Sequence, residues 1–575
     1  MILKTLKKGA RNAKRSTIIA PLFVSFEALF EVFIPRIMAL IVDSGIEVNN
    51  LANVYKYGAL MIVTVVLSLT CGIIASRNAA KASTTFAKTI REDMYHNIQN
   101  YSFENIDKFS SASLVTRLTT DVTNVQNAFH MIIIMLFRAP FMLIFGIIMS
   151  FTISSKLAIV FICAVPFMLA FFFFFLYKAQ PNFVRMFKKY DELNSVVQEN
   201  VGGIRTVKSY VREEHQNKKF QKTAKELYQY SIGAEKYLAL ANPVVRFTMY
   251  ACIVLISWLG AKMIITGEGG MTTGTLMSLI AYVTQILMSL MMVSMVTIMI
   301  TMSKASANRI VEVINEKSNI VNKENPVTKL KSGSIDFKDV SFCYLNDKKV
   351  LEDISLHIDS GETIGIIGGT GSSKTTLVQL ISRLYDVSGG MVSVGDVDVR
   401  DYDLDTLRNN VSVVLQKNIL FSGTIKDNLR WGNEQATDEE LIEAAKKAQA
   451  HDFIMNFPLG YDTKIEQGGV NVSGGQKQRL CIARALLKKP KILILDDSTS
   501  AVDVHTDAKI RESFKKDLAD VTKIIIAQKI LSIKDSDRIL VLDNGKINGF
   551  DTHENLLKNN EIYQDVYYTQ MKGEE

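Results

Sequence analysis

Six stretches of the chain stay apolar long enough to cross a bilayer as helices, which takes about 20 residues each. They run over about 17–42, 57–77, 129–151, 157–177, 237–262 and 275–300. A turn around Ser154–Lys156 joins the third to the fourth, and loops of modest length join the first to the second and the fifth to the sixth. Two connections are long, from about Asn78 to Ala128 and from about Lys178 to Lys236. Both read as polar helix with few breakers, so each can descend and return as a stalk reaching roughly 35 Å beyond the membrane; ordinary folded loops are the plainer alternative. Beyond Met302 the apolar run ends. Ala305–Lys317 reads as a short amphipathic helix and Ser318–Ser332 as a polar linker carrying Pro326. From Gly333 short apolar strands alternate with helices, as in "SIDFKDVSFCY" and "ETIGIIG", the pattern of an α/β domain. The expected architecture is an all-α six-helix transmembrane domain over 1–317, a linker over 318–332 and an α/β domain over 333–575.

Composition sharpens this picture. At 575 residues the chain is too long for one core, and 48% hydrophobic with 22% charged residues requires segregated membrane and soluble parts. The formal charge is +8, but the excess Lys and Arg flank the apolar segments. The second long connection is dense in them, with Arg185, Lys188, Lys189, Arg205 and Lys208 among others. A basic balance can mean nucleic acid, an anionic membrane surface or topology alone; cytoplasmic loops carry such residues, so topology is the expected cause, with membrane lipid and no nucleic acid among the partners. The N-terminus, both long loops and the α/β domain are expected on the cytoplasmic side of a plasma (inner) membrane. The basic N-terminus runs into the first span without a small-residue cleavage site, so a cleaved signal peptide is not expected. Five scattered cysteines without metal-ligand spacing read as unpaired and reduced.

The candidate chemistry lies in the α/β domain. A strand at Thr363–Ile367 runs into Gly368, Gly369, Thr370, Gly371, Ser372, Ser373, Lys374, Thr375 and Thr376, and then a helix. Backbone N–H groups and a helix N-terminus there can face phosphates, with Lys374 reaching the outer phosphates and Thr375 ligating Mg²⁺. Ser373 stands where the strict motif has Gly; if φ is positive there, its Cβ costs about 1 kcal/mol. "KILIL" (Lys491–Leu495) is a buried strand ending in Asp496, the placement of a carboxylate that holds Mg²⁺. Between these segments lie Val472, Ser473, Gly474, Gly475 and Gln476.

With that Ser-Gly-Gly-Gln element the chain resembles the ATP-binding-cassette family over nearly its whole length. The resemblance implies the six-helix exporter fold (type IV, also termed type I) and a P-loop nucleotide-binding domain with ATP and Mg²⁺ as cofactors. It implies that Tyr344 stacks on adenine, that Gln416 in "VVLQKNILFSGTIKDNL" senses Mg²⁺ and the membrane domain, and that Asp503, in the segment Ser500–Asp503, belongs to the loop crossing between two cassettes. "SLVTRLTTDV" and "QENVGGIRTVKSYVREE" are similar to the cytoplasmic loops of exporters.

Besides Ser373, and Val472 where the family usually has Leu, two departures from the family pattern bear on hydrolysis. Asp497 stands where the family has the Glu that polarises the attacking water; being one methylene shorter, its carboxylate sits about 1 Å back. Gln528, in "IIIAQKI", stands where the family has a His on the γ-phosphate, and Gln cannot become cationic. The pair points to a site that binds ATP and turns it over poorly. In the family each ATP site combines one cassette's phosphate loop with the other's signature. The chain therefore resembles one subunit of the heterodimeric bacterial multidrug exporters, and Ser473–Gln476 would complete the competent site of a second half-transporter.

The transport path is less legible. Met288, Met292, Met295 and Met299 share a face of the sixth span, suited either to a cavity accepting many shapes or to packing. Glu27 and Glu31 lie one turn apart in the first span, with Arg138 and Arg246 inside the third and fifth. Charges at that depth face a cavity or each other, and both readings stay open. The expected function is ATP-driven export of hydrophobic or amphipathic small molecules or peptides by alternating access. The alternatives are an ATP-gated regulator or channel on the same scaffold and a homodimeric lipid flippase.

Overall fold

The structure is a computed structural model; it describes residues 7–344, 349–498 and 500–572. The chain forms two compact units, Met1–Gln99 with Ala112–Glu316, and Asn100–Ser111 with Lys317–Glu575.

Among the described residues of the first unit, six helices are long and apolar enough to cross a membrane. The second span and the stalk below it are one helix, Leu51–Gln99, about 70 Å long at the helical rise. The fourth likewise continues to Gly202, and the sixth runs unbroken from Thr273 to Asn315. The amphipathic segment expected at Ala305–Lys317 is thus the cytoplasmic end of the sixth helix. Its Arg309 holds the buried Asp121 through Nε and Nη2 (2.7 and 2.5 Å), and Asn97 donates to the carbonyls of Val313 and Glu316. These bonds tie both ends of the first stalk to the sixth helix.

Small residues let the first two spans approach closely: Ala20, Ala79 and Ala82 are fully buried. Pro35 lies inside the helix Lys14–Ile41 and breaks its hydrogen-bond ladder, supplying no N–H to the carbonyl of Glu31. Polar side chains of the sixth helix serve carbonyls around this break: Gln285 donates to Glu31 O (3.4 Å), Tyr282 to Val32 O (2.9 Å) and Ser278 to Pro35 O (2.8 Å). At the outer end Asp43 accepts from Gly274 N and Thr272 Oγ1, both at 2.7 Å, and caps the sixth helix with a carboxylate.

The second unit is built on a six-stranded sheet in the order Lys546–Asp551, Arg538–Asp543, Thr363–Gly368, Thr522–Ile526, Ile492–Asp496, Val411–Val414. All neighbours are parallel except the first pair. Strands Ile492–Asp496 and Thr522–Ile526 are buried along their full length, which suits the apolar runs Ile492–Leu495 and Ile524–Ile526 within them. A four-stranded antiparallel sheet, including Ile335–Cys343 and Lys349–Ile358, completes the unit. The helix Phe103–Phe109 of the first long loop belongs here too. Its Asp107 accepts a 2.6 Å bond from Tyr385 Oη, and Phe103 meets the Tyr385 ring edge-on.

Candidate functional site

Parallel pairing brings three strand ends to one edge of the sheet: Gly368 before the phosphate loop, Asp496 and Asp497 after the fifth strand, and Gln528 just past the fourth. Ligands of open α/β sheets bind outside such carboxyl ends. A side chain is excluded at Gly368, where a Cβ would stand 2.2 Å from Leu542 O. Ser373, at φ 71° and ψ 25°, takes the left-handed conformation immediately before the helix Lys374–Ile381. Lys374 Nζ folds back onto the carbonyls of Gly368 and Gly369 (both 2.8 Å) and onto Ser372 Oγ (3.2 Å), spanning the loop. Burial lowers the pKa of this ammonium, so an incoming anion finds a poorly solvated cation.

Thr375 Oγ1 donates to Asp496 Oδ1 at 3.1 Å. Burial raises the pKa of Asp496, and its Oδ2 is buried without a hydrogen-bond partner. An orphaned carboxylate oxygen beside a hydroxyl is the donor set a hard divalent cation takes, so these residues fit Mg²⁺. The next residue, Asp497, has φ 49°, its N–H bonded to Ile526 O (3.0 Å). Its Oδ2 accepts a 2.8 Å bond from Gln528 Nε2. The two departures from the family pattern are therefore bonded to each other.

The remaining sequence candidates are placed as follows. Tyr344 lies edge-on to Phe342 and Tyr385 and shares a 2.9 Å bond with Thr376 Oγ1. Gln416 is exposed just beyond strand Val411–Val414. Ser473 and Gln476 form a reciprocal cap at the start of the helix Gly474–Leu486 (Ser473 N to Gln476 Oε1 2.9 Å). Among the described residues no hydrogen bond joins Ser473–Gln476 to Lys374, Asp496 or Asp497. Gly475 allows the Ala501 carbonyl to approach, since a Cβ would meet it at 2.7 Å. Asp503 caps the helix Val504–Asp517 by accepting from Thr506 N, and that bond lowers its pKa. Sequence reasoning did not find Gln570, whose side chain bonds to the backbone of residues 528 and 530, nor Tyr385 with Asp107. Nothing local marks these residues, because their partners are distant in sequence.

In the first unit Arg138 bridges both acids, with Nη1 on Glu27 Oε1 (2.8 Å) and Nη2 on Glu31 Oε2 (2.7 Å). The triad carries one surplus negative charge. It lines a cavity of about 610 Å³ together with Ser68, Gly72 and Ser76. Arg246 is exposed and forms no ion pair among the described residues. Met288 and Met295 are half exposed and Met292 and Met299 partly buried, so the methionine face points away from the chain's own core.

The profile of the ABC transporter transmembrane region matches residues 17–290, and that of the ABC transporter domain matches residues 351–500. The ABC transporter ATP-binding protein YfiB of Bacillus subtilis (strain 168) is 38% identical over 557 residues, covering 97% of this chain and 96% of that one. The ATP-dependent lipid A-core flippase of Syntrophus aciditrophicus (strain SB) is 32% identical over 484 residues, covering 84% and 80%. Among solved structures, an ATP-bound bacterial Atm1-family ABC exporter has a TM-score of 0.81 at 22% identity, covering 97% of this chain and 98% of that one.

Proposed function

The chain belongs to the ABC transporter family, an integral inner-membrane protein with a cytoplasmic ATP-binding domain and ATP-driven activity, and from that premise we propose that it is one subunit of a heterodimeric exporter whose own ATP site holds nucleotide but hydrolyses it poorly. The observation that carries this reading is the 2.8 Å bond from Gln528 Nε2 to Asp497 Oδ2. It engages the short carboxylate with an amide that can neither take nor give up a proton at neutral pH. With ATP bound, Lys374 and the loop N–H groups hold the phosphates, Tyr344 stacks on adenine, and Gln528 turns its amide to the γ-phosphate. Thr375 and Asp496 would hold Mg²⁺, which would supply neutralising charge at the phosphates, and Gln416 would sense that occupancy and pass it to the membrane domain. Ser473–Gln476 and Asp503 complete the competent site on the partner half-transporter. Closure of the two cassettes flips the membrane cavity outward, and hydrolysis at the partner's site resets it.

The cargo is a hydrophobic or amphipathic compound. The outward-turned methionine face and the cavity beside Glu27, Glu31 and Arg138 support a path that combines adaptable apolar surface with a surplus negative charge. Arg246, exposed in the fifth span, is a further candidate to line that path.

A second reading, a homodimeric lipid flippase, draws support from the 32% identity to the lipid A-core flippase. One experiment separates the two. The purified chain alone is expected to bind ATP and hydrolyse it very slowly, with turnover appearing when its partner is added. Ser473→Arg nearly abolishes that turnover. Robust hydrolysis by the lone chain rejects the heterodimer and favours the flippase.

A further inference from the structure

Gln528 lies just past the end of strand Thr522–Ile526, where Ala527 N to Ile366 O (3.3 Å) is the last bond to the sheet. The chain then leaves the ladder, with Gln528 and Lys529 exposed. The side chain of Gln570 serves this departing segment at both ends. Its Nε2 donates to Gln528 O at 2.8 Å, and its Oε1 accepts from Ile530 N at 2.9 Å. A single amide thus pairs with the loop as a neighbouring strand would, on the donor and acceptor that flank Lys529.

Gln570 itself stands on firm ground. The C-terminal helix Glu561–Lys572 is anchored by Tyr563, fully buried, whose N–H bonds to Asn560 Oδ1 (2.9 Å) and whose hydroxyl meets His553 Nδ1 (2.6 Å). Tyr563 and Gln570 are two turns apart and share a helix face. Ile530 is fully buried and fixes the far end of the segment, so the clip acts on the two exposed residues between it and the sheet. Without the clip these two sample more backbone conformations, which must be given up before Gln528 can bond to a ligand.

We propose that Gln570 is a positioning residue of the nucleotide site: it holds the 528–530 loop so that Gln528 meets the γ-phosphate, and so sets how well the site distinguishes ATP from ADP. The inference rests on the assignment of Gln528 to the γ-phosphate made above. ADP lacks that group, so loosening the loop weakens ATP binding and leaves ADP binding alone.

The test is equilibrium binding of ATP and of ADP, with magnesium, to the purified full-length chain. Gln570→Ala is expected to weaken ATP binding about three- to tenfold, a partial loss of the hydrogen bond from Gln528 to a charged group, with ADP within about twofold. Gln528→Ala gives a similar selective loss, and the double variant is no weaker than Gln528→Ala alone. Gln570→Glu keeps the acceptor for Ile530 N–H but has no proton for Gln528 O at neutral pH. It falls between wild type and Gln570→Ala, and approaches wild type, relative to ADP, as the pH drops and the carboxyl protonates. This isosteric variant carries the test if Gln570→Ala does not fold. Equal losses for ATP and ADP, or additive losses in the double variant, overturn the proposal and reduce Gln570 to general support. Selective loss in Gln528→Ala with none in Gln570→Ala overturns this inference alone. No selectivity change in Gln528→Ala overturns the γ-phosphate assignment, and this inference with it.

Discussion

Ser373 occupies a backbone conformation, φ 71°, that side-chain-bearing residues avoid. The helix start and the Lys374 bonds across the loop hold it there. Ser373→Gly is expected to stabilise the chain by about 1 kcal/mol, offset in part by the greater freedom of glycine in the unfolded state. Thermal unfolding of the full chain, followed by a probe in the second unit, checks this: its transition should rise by about one to two degrees, and a fall would show that the hydroxyl has a role beyond the backbone. That Gly368 and Asp496 end strands was legible in sequence, because local pattern fixes such positions. That Asp497 and Gln528 bond to each other was not, since 31 residues separate them and only the parallel pairing of their strands brings them together. Gln570 was opaque for the same reason.

At the scale of the elements, the apolar runs located all six spans, because the bilayer demands length and composition that nothing else in the chain imitates. The unbroken sixth helix was less legible. Polarity changes sharply near Ser303, but helical backbone tolerates either solvent, and the side-chain bonds of Arg309 and Glu312 continue it. Nor did sequence show that Phe103–Phe109 joins the ATP-binding unit, since its anchors Tyr385 and Lys317 lie more than 200 positions away. Of the intramembrane charges, open in sequence between ion pairs and a binding site, Glu27, Glu31 and Arg138 form ion pairs that also line a cavity, and Arg246 does not join them. The two roles make different predictions. Arg138→Gln leaves two adjacent carboxylates without their guanidinium and is expected to cost on the order of 2–4 kcal/mol, less than a fully buried pair because these side chains are partly exposed. Adding Glu27→Gln should restore much of that in thermal unfolding. If Arg138→Gln instead leaves stability unchanged and alters only which cargo is transported, the triad is a ligand site and not a brace.

For the whole molecule, the proposed reading raises the question why a site expected to hydrolyse little would keep its binding groups. Asp497 and Gln528 depart from the family pattern, whereas Lys374, Thr375 and Asp496 remain, with Lys374 spanning the loop and Asp496 keeping an unsatisfied oxygen. A site drifting toward uselessness does not retain its phosphate and cation ligands while losing only the groups that handle protons. Nucleotide held here can keep the two cassettes in partial contact while the partner's site cycles, a coupling between sites of about 1–3 kcal/mol. Lys374→Ala should therefore impair transport by the heterodimer even though little hydrolysis is lost with it. Asp497→Asn preserves the bond to Gln528 by an amide flip and should be far milder than removing the partner's catalytic Glu. ATPase and transport measured side by side for these three variants decide the matter. Coupling predicts that Lys374→Ala lowers transported molecules per ATP, since futile cycles continue at the competent site. An Asp497 variant as damaging as the partner's Glu variant would make this site catalytic and remove the asymmetry on which the heterodimer reading depends.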